Sequence, residues 1–178
     1  SSNMPKSNIL QKDSPILREV ALAVPEKEIS SAKIRSVISK MKKAVHAEED
    51  GVAIAAPQIG ESLRIFVVAG RTFNIGKNAD KETEFPDLVF INPEITKLSK
   101  KKKIMEEGCL SVRWLYGKVE RHERVSIKAL DETGKKIERG ASGLLAQIFQ
   151  HEMDHLDGTL FIDKATDIED VPPTHQDE

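Results

Sequence analysis

The chain has 178 residues, 39% of them hydrophobic and 31% charged, which suits one globular domain with a real core and excludes a disordered protein. A formal net charge of −2 offers no global attraction to DNA or to an acidic membrane surface. The single cysteine, Cys109, excludes an intramolecular disulfide scaffold. No apolar run is long enough for a bilayer, and the first residues carry neither a signal pattern nor an Arg-rich transit pattern, so a reducing cytoplasm is the expected compartment.

Ser1-Ser2-Asn3 before Met4 reads as a remnant of expression cloning. Asp13-Ser14-Pro15 marks a turn, and Pro25 opens a helical segment. Ile34, Val37, Ile38, Met41 and Val45 recur at helical spacing, predicting an amphipathic helix that stops near Asp50-Gly51. Residues 63–69 (LRIFVVA) and 88–95 read as strands, the second interrupted by Asn92-Pro93, which places the proline at an edge or a bulge. The polar stretch 70–86 between them reads as a long loop or open hairpin. The lysines Lys100, Lys101, Lys102 and Lys103 read as a solvated hairpin tip, with Glu106 and Glu107 offsetting part of their field. Residues 125–130 (VSIKAL) alternate into the turn Asp131-Glu132-Thr133-Gly134, and 135–139 return as a strand. A last helix is predicted over 141–156, with Leu144, Leu145, Ile148 and Phe149 on one broad face and Gly158 as its stop. Residues 166–178 read as an irregular tail. The sum is an α+β fold with antiparallel strands around a late core helix.

That helix carries His151-Glu152-Met153-Asp154-His155, an H-E-x-x-H pattern. Residues four apart share a helix face, so both imidazoles reach one metal ion while Glu152 lies beside it. An ion held there lowers the pKa of a water toward about 7. The adjacent carboxylate can take the proton and hand it to a leaving amine. A catalytic ion usually has three protein ligands. The H-x-x-G-x-x-H continuation fails, because Gly158 is in place but Phe161 stands at the third ligand position. A glutamate on a later helix has only Glu169 and Glu178 to draw on, in a short Pro-containing tail. His46, His122 and His175 read as solvent-facing, and Cys109 is the remaining candidate.

Three segments then resemble one family. Residues 51–58 (GVAIAAPQ), 107–111 (EGCLS) and 150–155 (QHEMDH) are similar, in this order and spacing, to the three motifs of peptide deformylases. The resemblance implies a single deformylase-like catalytic domain over 4–165 that removes the formyl group from N-terminal formyl-methionine of nascent chains. It implies Cys109, His151 and His155 as ligands of one divalent ion, Fe(II) in the cell, with zinc, nickel or cobalt able to occupy such a site. Glu152 would be the acid–base group, and the Gln58 amide and the Leu110 backbone N–H the oxyanion donors. Val52, Ala53, Met105, Gly108, Leu144 and Ile148 would form the substrate pocket, with a Glu107–Arg121 ion pair and Asp154 supporting the ligands. The second motif glycine is Ala53 here, a strained substitution if φ is positive there and a narrower cleft if it is not. Arg113, Trp114 and Tyr116 receive no role from the resemblance. Transient contact with the ribosome is compatible with it. The competing readings are an H-E-x-x-H endopeptidase and a non-catalytic binding module near the ribosome, which would be expected to lack Glu152 or Gln58.

Overall fold

A five-stranded sheet forms around a short run, residues 65–68, that is buried on both faces. The computed structural model describes residues 8–74 and 85–173. Strands β1 (Ala53–Ala55), β2 (Ile65–Val68), β3 (Leu88–Leu98), β6 (Arg124–Leu130) and β7 (Lys136–Ser142) make one sheet in the order β1-β2-β3-β6-β7, with every pairing antiparallel. Strands β4 (Lys102–Gly108), β5 (Leu115–His122) and β8 (Thr166–Asp170) make a second, antiparallel sheet in the order β4-β5-β8.

Alternation along β2 distributes the core. Ile65 and Val67 join helix α1 (Ala32–Ala47) through Ile34, Val37, Ile38, Met41 and Val45. Phe66 and Val68 face the other way, onto helix α2 (Gly143–Leu156), where Phe66, Phe90 and Phe149 pack with ring centroids 4.8 to 6.0 Å apart. Burial on both faces is why β2 reads as an unbroken apolar run. Helix α1 starts later than Pro25 suggests: Pro25 precedes a 3-10 turn, and Ser31 caps the helix by accepting a hydrogen bond from the Ile34 N–H at 3.3 Å.

Asn92-Pro93 sits at a register shift between β3 and β6, a bulge in a central strand. Asn92 takes a left-handed φ of 52° and its amide bonds both the N–H and the C=O of Val24 at 2.8 Å.

Two expectations need correction. The lysine run is not a hairpin tip: β3 ends at Leu98 in one sheet and β4 begins at Lys102 in the other, so the run carries the chain between sheets. It is solvated as expected, with Lys101 and Lys102 each 3.9 Å from a glutamate, Glu123 and Glu120. The tail is not irregular from residue 166. Thr166–Asp170 pairs with β5, Asp170 opposite Leu115 and Glu169 opposite Tyr116. Every residue of β8 is exposed, so it lacks the apolar face that betrays a strand in sequence; backbone pairing alone defines it. The expected loop at 70–86 opens with a 3-10 turn over Gly70–Asn74, and 75–84 lie outside the described residues, as does His175.

Gly158 closes α2 with φ 77°, and a Cβ there would meet the Arg18 carbonyl oxygen at 2.6 Å. Gly158→Ala is expected to cost about 2 kcal/mol through the combined backbone strain and clash. Urea denaturation checks this, and an unchanged midpoint would contradict it.

Candidate active site

Helix α2 is packed on nearly all sides, and Gln147, Gln150, His151, Glu152 and His155 are buried along it. Buried polar groups require partners. Gln150 finds them locally, bonding the backbone of His122 and the Ala146 carbonyl at 2.8 to 2.9 Å. The two histidines instead converge on Cys109, delivered by the loop after β4. One ligand atom from each of Cys109, His151 and His155 lies within 4.8 Å of the others, and Cys109 Sγ is 3.2 Å from His155 Nε2. Two imidazoles and a thiol suit a borderline-soft divalent ion and leave a tetrahedral position open. Two buried atoms have no partner among the described residues, Glu152 Oε1 and His155 Nδ1. An orphaned carboxylate oxygen beside a ligand cluster fits a site that takes up an ion, water and substrate.

A web of charge stands behind His151. Its Nδ1 is 2.5 Å from Glu107 Oε1, leaving Nε2 to face the cluster. Arg121 bonds both Glu107 oxygens, Nε to Oε2 at 3.0 Å, and its Nη1 donates to Asp154 Oδ2 at 2.8 Å. Lys164 closes the far end on Asp154 Oδ1 at 3.1 Å, and Gln147 Nε2 donates to Glu107 Oε2 at 3.1 Å. Burial alone would raise the Glu107 carboxyl, but the bonds from His151 and Arg121 outweigh it and hold it at about 2. Burial pushes Glu152 up to about 7, against the opposing pull of His151. Burial, reinforced by His151, keeps His155 well below the ordinary imidazole range and so in the neutral, ligating form.

Glu107, Cys109, Gln147, His151 and Glu152 line a cleft of about 390 Å³ with Val52, Ala53, Gln58, Gly108, Leu110, Leu144 and Ile148. Gln58 is 1% exposed, and its orientation is fixed at both ends. Oε1 accepts from the Ala55 N–H at 2.8 Å, so the amide nitrogen turns toward Ser111 Oγ, 3.0 Å away, and Cys109 Sγ, at 3.9 Å. Gln11 secures the opposite wall, donating to the Leu110 carbonyl at 2.9 Å and accepting from the Arg113 N–H at 3.2 Å. The Leu110 N–H bonds no acceptor among the described residues. Ala53 lies in β1 opposite Val68 and is not among the left-handed residues, so its methyl brings no strain and instead occupies cleft space. Gly108 is required by Tyr116, whose ring carbons would lie 2.6 and 2.7 Å from a Cβ.

Met105 does not line the cleft. It shares the Glu107 face of β4 but sits two residues earlier, about 7 Å along the strand. Phe161 stacks on His151 with centroids 6.2 Å apart, filling the place where an endopeptidase of the rejected pattern would carry a third histidine. His46 pairs with Asp87 at 2.9 Å and His122 Nδ1 with the Ser99 carbonyl at 2.6 Å, both away from the cluster. Sequence reasoning gave no role to Arg113 and Tyr116 and did not single out Asp50, yet all three line the cleft. Arg113 Nη2 meets Glu48 at 2.6 Å and Nη1 meets Asp50 at 2.8 Å, tying the segment before β1 to the segment after Cys109. Only the arginine itself hinted at this, since its partners lie more than 60 residues away.

The comparisons agree with this geometry. The chloroplastic peptide deformylase 1A of Solanum lycopersicum is 41% identical over 163 residues, covering 88% of this chain, and the chain spans 58% of that protein's length. The peptide deformylase of Psychrobacter cryohalolentis is 40% identical over 155 residues, covering 87% of this chain and 77% of that one. The solved class I type b peptide deformylase of Acinetobacter baumannii with Met-Ala-Ser bound superposes with a TM-score of 0.77 at 36% identity, over 88% of this chain and 96% of that one. Residues 6–171 match the family described as polypeptide deformylase, and the chain belongs to that family.

Proposed function

We propose that this chain hydrolyses the N-formyl group from the formyl-methionine that begins nascent polypeptides, releasing formate and a free amine. The observation that carries the reading is the cluster of half-buried Cys109 with buried His151 and His155, beside a Glu152 oxygen unpartnered among the described residues and next to a cleft with an apolar wall. The Acinetobacter relative's bound Met-Ala-Ser supports a methionyl peptide as the ligand class.

Cys109, His151 and His155 would hold a divalent ion, for which the family resemblance favours Fe(II) in the cell. When bound, such an ion supplies Lewis acidity and lowers the pKa of a water to about 7. The remaining chemistry belongs to the chain. Val52, Leu144 and Ile148 take the methionine side chain and set the formyl carbon near the cluster. Water adds to that carbon, and the developing oxyanion meets the Gln58 Nε2–H and the Leu110 N–H. Neither donor must reorganise, because Ala55 fixes the first and Gln11 the segment of the second. Glu152 moves the water proton to the amide nitrogen, and the C–N bond breaks. The reaction belongs where formylated chains are made, in a bacterial cytoplasm.

The test is formate release from formyl-Met-Ala-Ser by protein loaded anaerobically with Fe(II) or Ni(II). Turnover that a chelator abolishes and the metal restores is the expected result. A folded, metal-bound protein with no turnover would overturn the reading.

A further inference from the structure

Ser111 is wholly buried, yet its hydroxyl takes no part in proton transfer or in binding the oxyanion. Burying a hydroxyl costs stability unless it is bonded, so its partners are informative. Ser111 is the third residue of a turn from Cys109 to Val112, closed by the Val112 N–H on the Cys109 carbonyl at 3.0 Å. Val112 anchors the turn in a core of Leu17, Leu160 and Phe161. Two groups of Ser111 then make separate bonds. Its backbone N–H donates to Cys109 Sγ at 3.4 Å, and its Oγ accepts from Gln58 Nε2 at 3.0 Å. One residue therefore spans from the cysteine sulfur to the Gln58 amide, which lie 3.9 Å apart.

The Gln58 amide nitrogen carries two N–H groups. At the oxygen end the Ala55 N–H bonds Oε1 at 2.8 Å, and a single contact there lets the amide plane swing about it. A second contact at Nε2 stops the swing. Ser111 Oγ takes one N–H, and the other is left for the cleft that Gln58 lines. A donor already aimed at the developing charge stabilises it more than one that must first reorient. We infer that Ser111 is a positioning residue whose hydroxyl occupies one Gln58 N–H and so holds the other beside Cys109, aimed at the oxyanion. The inference rests on the deformylase reading above and deepens it. The bond to sulfur comes from the backbone and the bond to Gln58 from the side chain, so Ser111→Ala keeps the first and removes the second.

The experiment measures kcat and KM for formyl-Met-Ala-Ser with nickel-loaded protein, in the parent chain, Ser111→Ala, Gln58→Ala and the double variant. Ser111→Ala is expected to lower kcat by about three- to tenfold, the scale of one neutral hydrogen bond, with KM held within about twofold. In the Gln58→Ala background the same substitution should change kcat by less than about twofold, because the hydroxyl then has no amide to hold. Metal affinity and the visible absorption of the cobalt-loaded protein should keep their parent values, since the Ser111 N–H still reaches the sulfur. In zinc-loaded protein the Gln58 side-chain amide protons, identified by their loss in Gln58→Ala, should exchange with solvent about tenfold faster once the hydroxyl is gone. An unchanged kcat, unchanged amide exchange, or an equal fall in both backgrounds would overturn the inference. A metal affinity or cobalt spectrum that moves with kcat would also overturn it, by assigning the loss to the cysteine segment. Absence of turnover in the metal-loaded parent would overturn the deformylase reading, while the exchange rates would still decide whether Ser111 holds the Gln58 amide.

Discussion

Glu152→Gln is expected to lower kcat for formate release by about 10³-fold, within the range for removal of a positioned acid–base group. Glutamine keeps the volume and leaves α2 packed against Phe66 and Phe90, so the loss should be chemical and not structural. The carboxylate suits the task for a physical reason. It is 4% exposed, one oxygen has no partner among the described residues, and burial pushes its pKa up to about 7. A group near neutrality can accept a proton from water and return it to an amine within one turnover. Glutamine can do neither. Metal content and the urea midpoint are measured beside kcat. A tenfold or smaller fall with both retained would remove Glu152 from the acid–base role and leave water or Glu107 to carry it.

The sequence made this centre legible because helix geometry is local. His151 and His155 share a face from their spacing alone, and Glu152 follows. Cys109 could be reached by exclusion, since it is the chain's single cysteine and the other histidines lack local support as ligands. Strand β2 was legible for the same local reason, a short branched apolar run ended by Gly70. What stayed hidden depends on long-range pairing. β4 and β5 are rich in Lys, Glu and Arg, so their inward residues, Glu107, Val119 and Arg121, do not form an apolar stripe. Their inner face mixes the Glu107–Arg121 pair with Val119, which packs among Leu17, Leu160 and Phe161. β8 shows no buried residue at all, and only the β5 ladder makes it a strand. The resemblance assigns Met105 to the pocket wall, but its position on β4, two residues before Glu107, leaves it outside the cleft lining. The Arg113 tie to Glu48 and Asp50 joins segments far apart in sequence, and nothing in the run Val112-Arg113-Trp114 announces it.

The buried ion web, which the family resemblance implies and the strand pattern of β4 and β5 alone does not reveal, gives the second large effect. Arg121 is 2% exposed and Glu107 6% exposed, so each removes the other's desolvation penalty. Taking away one partner leaves an uncompensated buried charge. Arg121→Ala is therefore expected to destabilise the fold by about 3–5 kcal/mol. It also frees Glu107 to shift relative to His151 Nδ1, which it now orients, so metal affinity should weaken by about 10–100-fold. If the cause is the stranded carboxylate, adding Glu107→Gln to Arg121→Ala should recover part of the stability, because a buried neutral amide costs less than a buried anion. It should not recover metal affinity, since glutamine is a poorer acceptor for the His151 Nδ1–H than a carboxylate. Urea denaturation and competitive metal titration on the two variants separate these effects. A double variant no more stable than Arg121→Ala would assign the loss to the cavity left by the arginine. Unchanged stability and metal retention in Arg121→Ala itself would show that His151 is held by the packing of α2 alone.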